Sequence, residues 1–469
     1  MFLRSEEAVT TPASPRGTLP EPIIAASFAT LLGDFRSCFT VPSFAVFQHM
    51  MSGWLLCIGR HTVTSVIVAA DVVGVRHHTT FQRFFRCGRW QPDDLGLVLL
   101  RMVLGKLVPP FAPVLVALDD TLARHTGKRI SSAGMHRDPL LSTGAKVAYH
   151  FGHVWVVLAV VVHMPWGKSF ALPVLARLYR SKKTCKRMGI PHRKKTELAV
   201  ELIAKMAAVI PKRRILLVVD NGFANRNVIA DLPANVHLIG RGVIDARIYA
   251  KPPPRKQGQR GRTRVMGKKL PSPEERAADV GARWETVDVE ISGRPAQVKV
   301  QVFDALWHKS GRGRFLRFVL VCGWPGHKKD DVLISTDTTL GAKEIIQTYC
   351  LRWPIEETFH WCKSKLDLEQ PQNRVEHAVL RTAPMALWAY SLVVLWYATI
   401  GKHTTAAKLP VLPWYQSKKA PAFSDMLAIL RRVSWAARLH TVDGIPDRAG
   451  NTRSIQNSID AVLDAVGYG

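Results

Sequence analysis

Three carboxylates in this sequence stand where they could act together. The first ends the apolar run PVLVALDD (Pro113 to Asp120) and is Asp119 or Asp120. The second, Asp220, ends a similar run, RILLVVDNG (Arg214 to Gly222). The third, Glu356, lies in QTYCLRWPIEETFHWCKSKL (Gln347 to Leu366), a stretch that reads as helix. Carboxylates held close together repel one another, and a divalent cation relieves the repulsion. Hard oxygen donors select Mg²⁺ or Mn²⁺. Two such ions can activate water and stabilise the leaving oxygen of a phosphodiester. The histidines show no metal-ligand spacing.

Glu356 has unusual company. Tyr349, Arg352, Glu356 and Lys363 are spaced so that an unbroken helix, turning about 100° per residue, would gather them within roughly 60° of arc. A lone carboxylate among a phenol, a guanidinium and an ammonium makes sense if Glu356 completes a metal site while its neighbours hold phosphates. Arg352 can grip a phosphate with two donors, and Lys363 acts as a point charge. Lys363 would stand about 10 Å further along the helix. The plainer account is a solvated face with an Arg352–Glu356 pair. Pro354 has no N–H and disfavours helix at Trp353, so either the helix kinks there or a new one starts with Pro354 near its first position.

The elements that must position these residues follow from the hydrophobic pattern. PVLVALDD, VWVVLAVVV (Val154 to Val162), SFALPVLARLY (Ser169 to Tyr179), RILLVVDNG and VHLIGRG are short apolar runs typical of strands buried on both faces. ELAVELIAKMAAVI has helical spacing at Leu198, Leu202, Met206 and Val209, and NVIADL reads as a short helix. Three strands, then helix, strand, helix, strand, imply a mixed sheet with helices on its faces, and active sites favour such strand ends. Residues 246–335 interrupt this α/β pattern. They open with a basic, Pro/Gly-rich loop over 251–276 and continue as alternating antiparallel strands. Helix resumes near Gly341. Residues 26–108 read as helices, with basic and aromatic residues mixed in Arg76 to Trp90. That mixture fits either a packed bundle with a basic face or a DNA-binding domain. Ala383 to Ile400 is long enough to span a membrane but stands alone in a basic chain, and it is expected to be a buried core helix. Residues 1–25 are polar and Pro-containing and read as disordered. Residues 406–469 hold a helix at Ser424 to Leu439, with Ser424 as its N-cap.

Charge narrows the partners. The 469 residues carry 65 Lys and Arg against 36 Asp and Glu, a net of +29, which points to a polyanion such as nucleic acid. Seven cysteines without a Cys-x-x-Cys argue for a reducing compartment and against a zinc cluster or disulfide framework. The opening MFLRSEEAVTTPASPRG lacks the apolar core of a signal peptide. A cytoplasmic protein is expected.

Tyr349, Arg352, Glu356 and Lys363 match the Y-x2-R-x3-E-x6-K signature of one branch of the bacterial insertion-sequence transposases, in the DDE superfamily. LDDT, VVDNG and RWPIEETF resemble that group's three acidic motifs. TGKRISSAGMHRDPL and PPPRKQGQRGRTR also resemble its segments. The likeness spans residues 30–440. It implies a ribonuclease-H-like catalytic core split over 109–245 and 336–405, with the β-rich region 246–335 inserted between Asp220 and Glu356. It implies Asp119, Asp220 and Glu356 as catalytic residues and ligands of two Mg²⁺ ions, with Mn²⁺ able to substitute. Asp119 is preferred to Asp120 because the family pattern is Asp-x-Thr, here completed by Thr121. Tyr349, Arg352 and Lys363 are implied to contact DNA. The implied reaction is cut-and-paste transposition at terminal inverted repeats, by a homodimer in complex with DNA. The alternatives are a plain metal-dependent nuclease of the same fold and a domesticated DNA-binding protein that no longer cuts. Trp284, Trp307 and Trp324 of the insertion are candidate faces for a flipped base.

Overall fold

The computed structural model describes residues 18–441 apart from 128, 144, 256, 258–259, 292, 308–313, 327–328, 405–417 and 419. Most of the expected disordered start and much of the expected C-terminal region lie outside those residues. The chain opens with α1 (Ala26–Gly33), α2 (Val41–Leu56), α3 (Val63–Ala69), α4 (His78–Cys87) and α5 (Pro92–Leu107). There follow β1 (Val114–Arg124), β2 (Gly134–Arg137), β3 (Tyr149–His163), β4 (Ser169–Tyr179), α6 (Lys182–Met188), α7 (Lys195–Val209), β5 (Ile215–Val219), α8 (Arg226–Ala230) and β6 (Val236–Arg241). Next come β7 (Ile248–Tyr249), α9 (Pro273–Ala277), β8 (Glu285–Ile291), β9 (Arg294–Trp307), β10 (Phe315–Cys322) and β11 (Asp331–Ser335). The chain then runs through α10 (Ala342–Cys350), α11 (Pro354–Ser364), α12 (Glu376–Thr399) and α13 (Phe423–Thr441).

β1, β3 and β4 form an antiparallel trio, and β5 and β6 lie parallel to β1 on its other side. The spatial order β4-β3-β1-β5-β6 is the expected ribonuclease-H-like core. β1 runs straight through its two acids to Arg124, further than the apolar run alone foretold. The strands after β6 continue the same sheet in the order β6-β11-β10-β9, all antiparallel, with β7 and β8 pairing with β9. The end of the expected basic loop is ordered as α9, because Ser272 and Glu275 form a reciprocal capping box.

β4 carries Pro173 and could expose an open edge, but helices seal it. Thr358 of α11 donates to the Ala171 carbonyl, and Ser391 and Trp388 of α12 donate to those of Pro173 and Val174. Buried carbonyls are thereby satisfied without another strand. α12 passes the length and composition test for a membrane span, yet it is almost wholly buried inside the protein. The helices of residues 26–107 share one hydrophobic core with it and with the sheet. Arg381 of α12, 5% exposed, donates to the carbonyls of Phe85, Gly88 and Trp90 at the end of α4. Arg431 of α13 does the same for Leu55 and Cys57 at the end of α2. Both satisfy carbonyls that a helix C-terminus leaves unpaired. In the Arg76–Trp90 stretch the aromatics Phe81, Phe84, Phe85 and Trp90 are buried, while Arg83, Arg86 and Arg89 are exposed. α13 begins at Phe423, so Ser424 lies inside the helix. Its first turn is closed instead by Asp425, which accepts from the Ala422 amide at 2.7 Å.

Candidate active site

β1 and β5 are parallel, with Leu118 opposite Val219, so Asp119 and Asp220 come next in register at neighbouring strand ends. Adjacent strand residues point to opposite faces, and the two acids of β1 divide accordingly. Asp119 Oδ2 accepts from Arg352 Nη1 at 2.7 Å, whereas Asp120 Oδ2 accepts from Lys195 Nζ, at the start of α7, at 2.7 Å. Asp220 is fixed by a tight turn: its Oδ1 accepts from the Phe223 amide at 3.1 Å, and its carbonyl accepts from the Phe223 and Ala224 amides. A side chain at position 222 would crowd it, since a Cβ added to Gly222 would lie 3.2 Å from Asp220 Oδ1.

The helix carrying Glu356 is broken, as Pro354 allows. α10 ends at Cys350, and α11 starts with Pro354 at its first position. Amides of Arg352, Trp353, Ile355 and Glu356 each donate three residues back, so tight turns carry the chain across the break. Arg352 sits in that break. Its Nη1 reaches Asp119 while its Nη2 donates to Glu356 Oε1 at 2.7 Å, and it also hydrogen-bonds the Tyr349 phenol. Glu356 lies in the first turn of α11, where the positive end of the helix dipole favours a carboxylate.

The electrostatics are tense. Burial, then the nearby charge of Asp220, pushes the Asp119 carboxyl up to about 7, although Arg352 pulls the other way. Asp220 is raised too, first by burial and then by Asp120, against the Phe223 amide and Arg352. Burial works against the charge on Arg352, but Asp119 and Glu356 outweigh it and hold the guanidinium above its ordinary value. The sequence model of one family, described as DDE superfamily endonuclease, matches residues 34–312. The chain belongs to that family. The match takes in both aspartate strands and ends before Glu356. Among curated proteins no match is found.

A DDE endonuclease is a nuclease with DNA as its substrate, and enzymes of this superfamily generally use divalent metals such as Mg²⁺. The donor chemistry here fits such an ion. Asp119 and Asp220 are hard oxygen donors whose mutual repulsion a cation would relieve. Among the described residues, however, no three His, Cys, Asp or Glu side chains are arranged to hold a metal. The Arg352 guanidinium lies between Asp119 and Glu356 and hydrogen-bonds both.

Tyr349, Arg352, Glu356, Asp119 and Asp220 of this DDE endonuclease are brought together. Lys363 is not with them. Its Nζ is 3.8 Å from Glu369 Oε1, and its charged neighbours are Glu369, Arg124 and Asp138. Burial lowers its pKa, with Glu369 opposing. Two neighbours went unread in the sequence. One is Lys195, whose basic surroundings mark it as positive but not as the partner of Asp120. The other is Arg241, whose charge opposes the burial that raises the Tyr349 phenol. Of the insertion tryptophans, Trp324 is buried edge-on against Tyr349 and Trp307 packs edge-on against Phe318. Trp284 lines an open cavity of about 790 Å³ with Phe303 and Arg276. Trp353, beside Arg352, is the exposed indole of this region, at 56%.

Proposed function

We propose that this endonuclease is a transposase of the Y-x2-R-x3-E-x6-K branch, cutting at the ends of an insertion element and joining them to target DNA. The observation that carries the reading is the convergence of Tyr349, Arg352 and Glu356 on Asp119 and Asp220. In this reading Asp119, Asp220 and Glu356 hold two Mg²⁺ ions, for which Mn²⁺ can substitute. The ions supply Lewis acidity and a water of lowered pKa when bound. Arg352 gives up its carboxylates and takes a DNA phosphate with the same two donors. Tyr349 keeps the guanidinium aimed, and Asp120 stays with Lys195 on the other face of β1. Lys363 contacts phosphate further along the duplex.

Two displacements follow from the one site. Water adds to phosphorus at the element end, and the element's 3′ oxygen leaves as a hydroxyl. That hydroxyl then attacks a target phosphodiester, whose own 3′ oxygen leaves. The helices of residues 26–108 and the basic 251–276 loop add DNA affinity, and two copies bridge two inverted repeats. The test is a Mg²⁺-dependent assay on labelled DNA carrying the inverted repeats that flank the gene, scored for cleavage and for joining to a plasmid. Both products are expected. Cleavage without joining would leave a plain nuclease, and tight binding with neither product would leave a non-cleaving binding protein.

A further inference from the structure

One strongly charged segment enters the reading above only through its last residue, Lys195. Residues 180–195, RSKKTCKRMGIPHRKK, contain eight Lys and Arg and no acid. They connect β4 to α7 and include α6. The topology puts them at the carboxylate end of the sheet. Tyr179, the last residue of β4, pairs with Val154, and Val154 pairs with Leu122 of β1, just beyond Asp119. At its other end the segment reaches Lys195, which holds Asp120.

The segment is anchored. Ser181 caps α6 through the Thr184 amide, Thr184 and Cys185 are buried, and Gly189 closes the helix in the left-handed region at φ 67°. Arg187 donates to the Ala133 carbonyl at 2.8 Å, and Arg180 pairs with Glu376. Lys182, Lys183 and Lys186 are exposed, and among the described residues none of them has an ion-pair partner. Like charges add their fields, so three adjacent exposed ammonium groups with no acid paired to them give this turn a positive potential that attracts a polyanion. We infer that α6 is a phosphate track: Lys182, Lys183 and Lys186 hold the backbone of duplex DNA as it leaves the carboxylate site, without reading its sequence. The occupant is a nucleic-acid duplex because point-charge lysines on a surface suit evenly spaced phosphates, and because the DNA substrate must pass this end of the sheet to reach Asp119. The inference rests on the DNA-cutting reading and assigns part of the path that DNA takes.

The experiment is fluorescence anisotropy of the full chain with a labelled duplex of arbitrary sequence, titrated across salt concentrations. Each phosphate contact contributes about 0.9 to the slope of log K against log salt. The Lys182→Gln/Lys183→Gln/Lys186→Gln variant should lose about three units of slope and weaken to the same degree on element-end and arbitrary DNA. Lys106 and Lys212 are exposed but precede the starts of β1 and β5, at the opposite end of the sheet, and serve as controls. Lys106→Gln/Lys212→Gln should leave the slope unchanged. Thermal melting confirms that each variant is folded. An unchanged slope in the α6 variant, or an equal loss in the control, overturns the inference while leaving the nuclease reading intact. Wild-type protein that fails to bind duplex even at low salt would overturn both.

Discussion

Arg352 and Asp119 are 233 positions apart in sequence and meet at 2.7 Å, with the other arm of the same guanidinium on Glu356. A protein cation thus stands between two carboxylates proposed to hold metal. In the proposed reading, metal and Arg352 compete for Asp119 and Glu356, whereas DNA phosphate and those carboxylates compete for Arg352. Phosphate binding and metal binding should therefore favour each other.

Arg352→Ala removes the resident cation. In DNA-free protein, Mn²⁺ affinity measured by isothermal titration calorimetry should rise. DNA affinity should fall, with the salt slope lowered by about one unit for one lost phosphate contact. Lower Mn²⁺ affinity in the variant would mean that Arg352 organises the carboxylates rather than occupying their place.

Glu356→Gln keeps size and hydrogen bonding but removes a negative charge. Cleavage should fall on the order of 10³-fold or more, because a two-metal mechanism loses several kcal/mol of transition-state stabilisation. Affinity for element-end DNA should hold or rise slightly, since a carboxylate near phosphate is repulsive without metal. Wild-type cleavage rates would end the catalytic assignment of this residue.

The two acids of β1 separate by face. Asp119→Asn should abolish cleavage, and Asp120→Asn should retain most of it, because Asp120 is turned towards Lys195. Side-by-side cleavage rates decide the assignment, and the reverse ranking would exchange the two residues.

Asp119 also predicts a pH dependence of stability. Its folded pKa of about 7 lies above its unfolded value of about 4. The unfolded chain therefore releases this proton first, and ionisation of Asp119 disfavours the fold. The penalty is absent below the unfolded pKa, grows as pH rises between the two values, and is complete above the folded one. Relative to wild type, metal-free Asp119→Asn should gain about 1–4 kcal/mol of stability between pH 5 and pH 8. Mg²⁺ should narrow the gap at pH 8 by stabilising the wild type. Parallel thermal melts at the two pH values, with and without Mg²⁺, would show it. A pH-independent difference would place the Asp119 pKa in its ordinary range.

Local pattern carried much of this protein into view from the sequence alone. The apolar runs ending in Asp120 and Asp220 became β1 and β5, because strands buried on both faces need unbroken apolar residues. Leu198, Leu202 and Met206 became the buried stripe of α7, because a helix repeats every 3.6 residues. Pro354 marked a helix boundary, because its ring and missing N–H act on its immediate neighbours. Those effects reach only a few residues along the chain. Which cation meets which acid does not. Arg352, in the break between α10 and α11, reached Asp119 as well as Glu356, Lys195 took Asp120, and Lys363, one long step further along α11, joined Glu369 instead. The strands of the insertion extended the sheet beyond β6, because that edge offered unpaired backbone groups and their period-two pattern cannot specify a partner. Such pairings depend on strand order and on which faces close against each other. Only the folded chain brings those distant residues within reach, so only the tertiary structure could decide them.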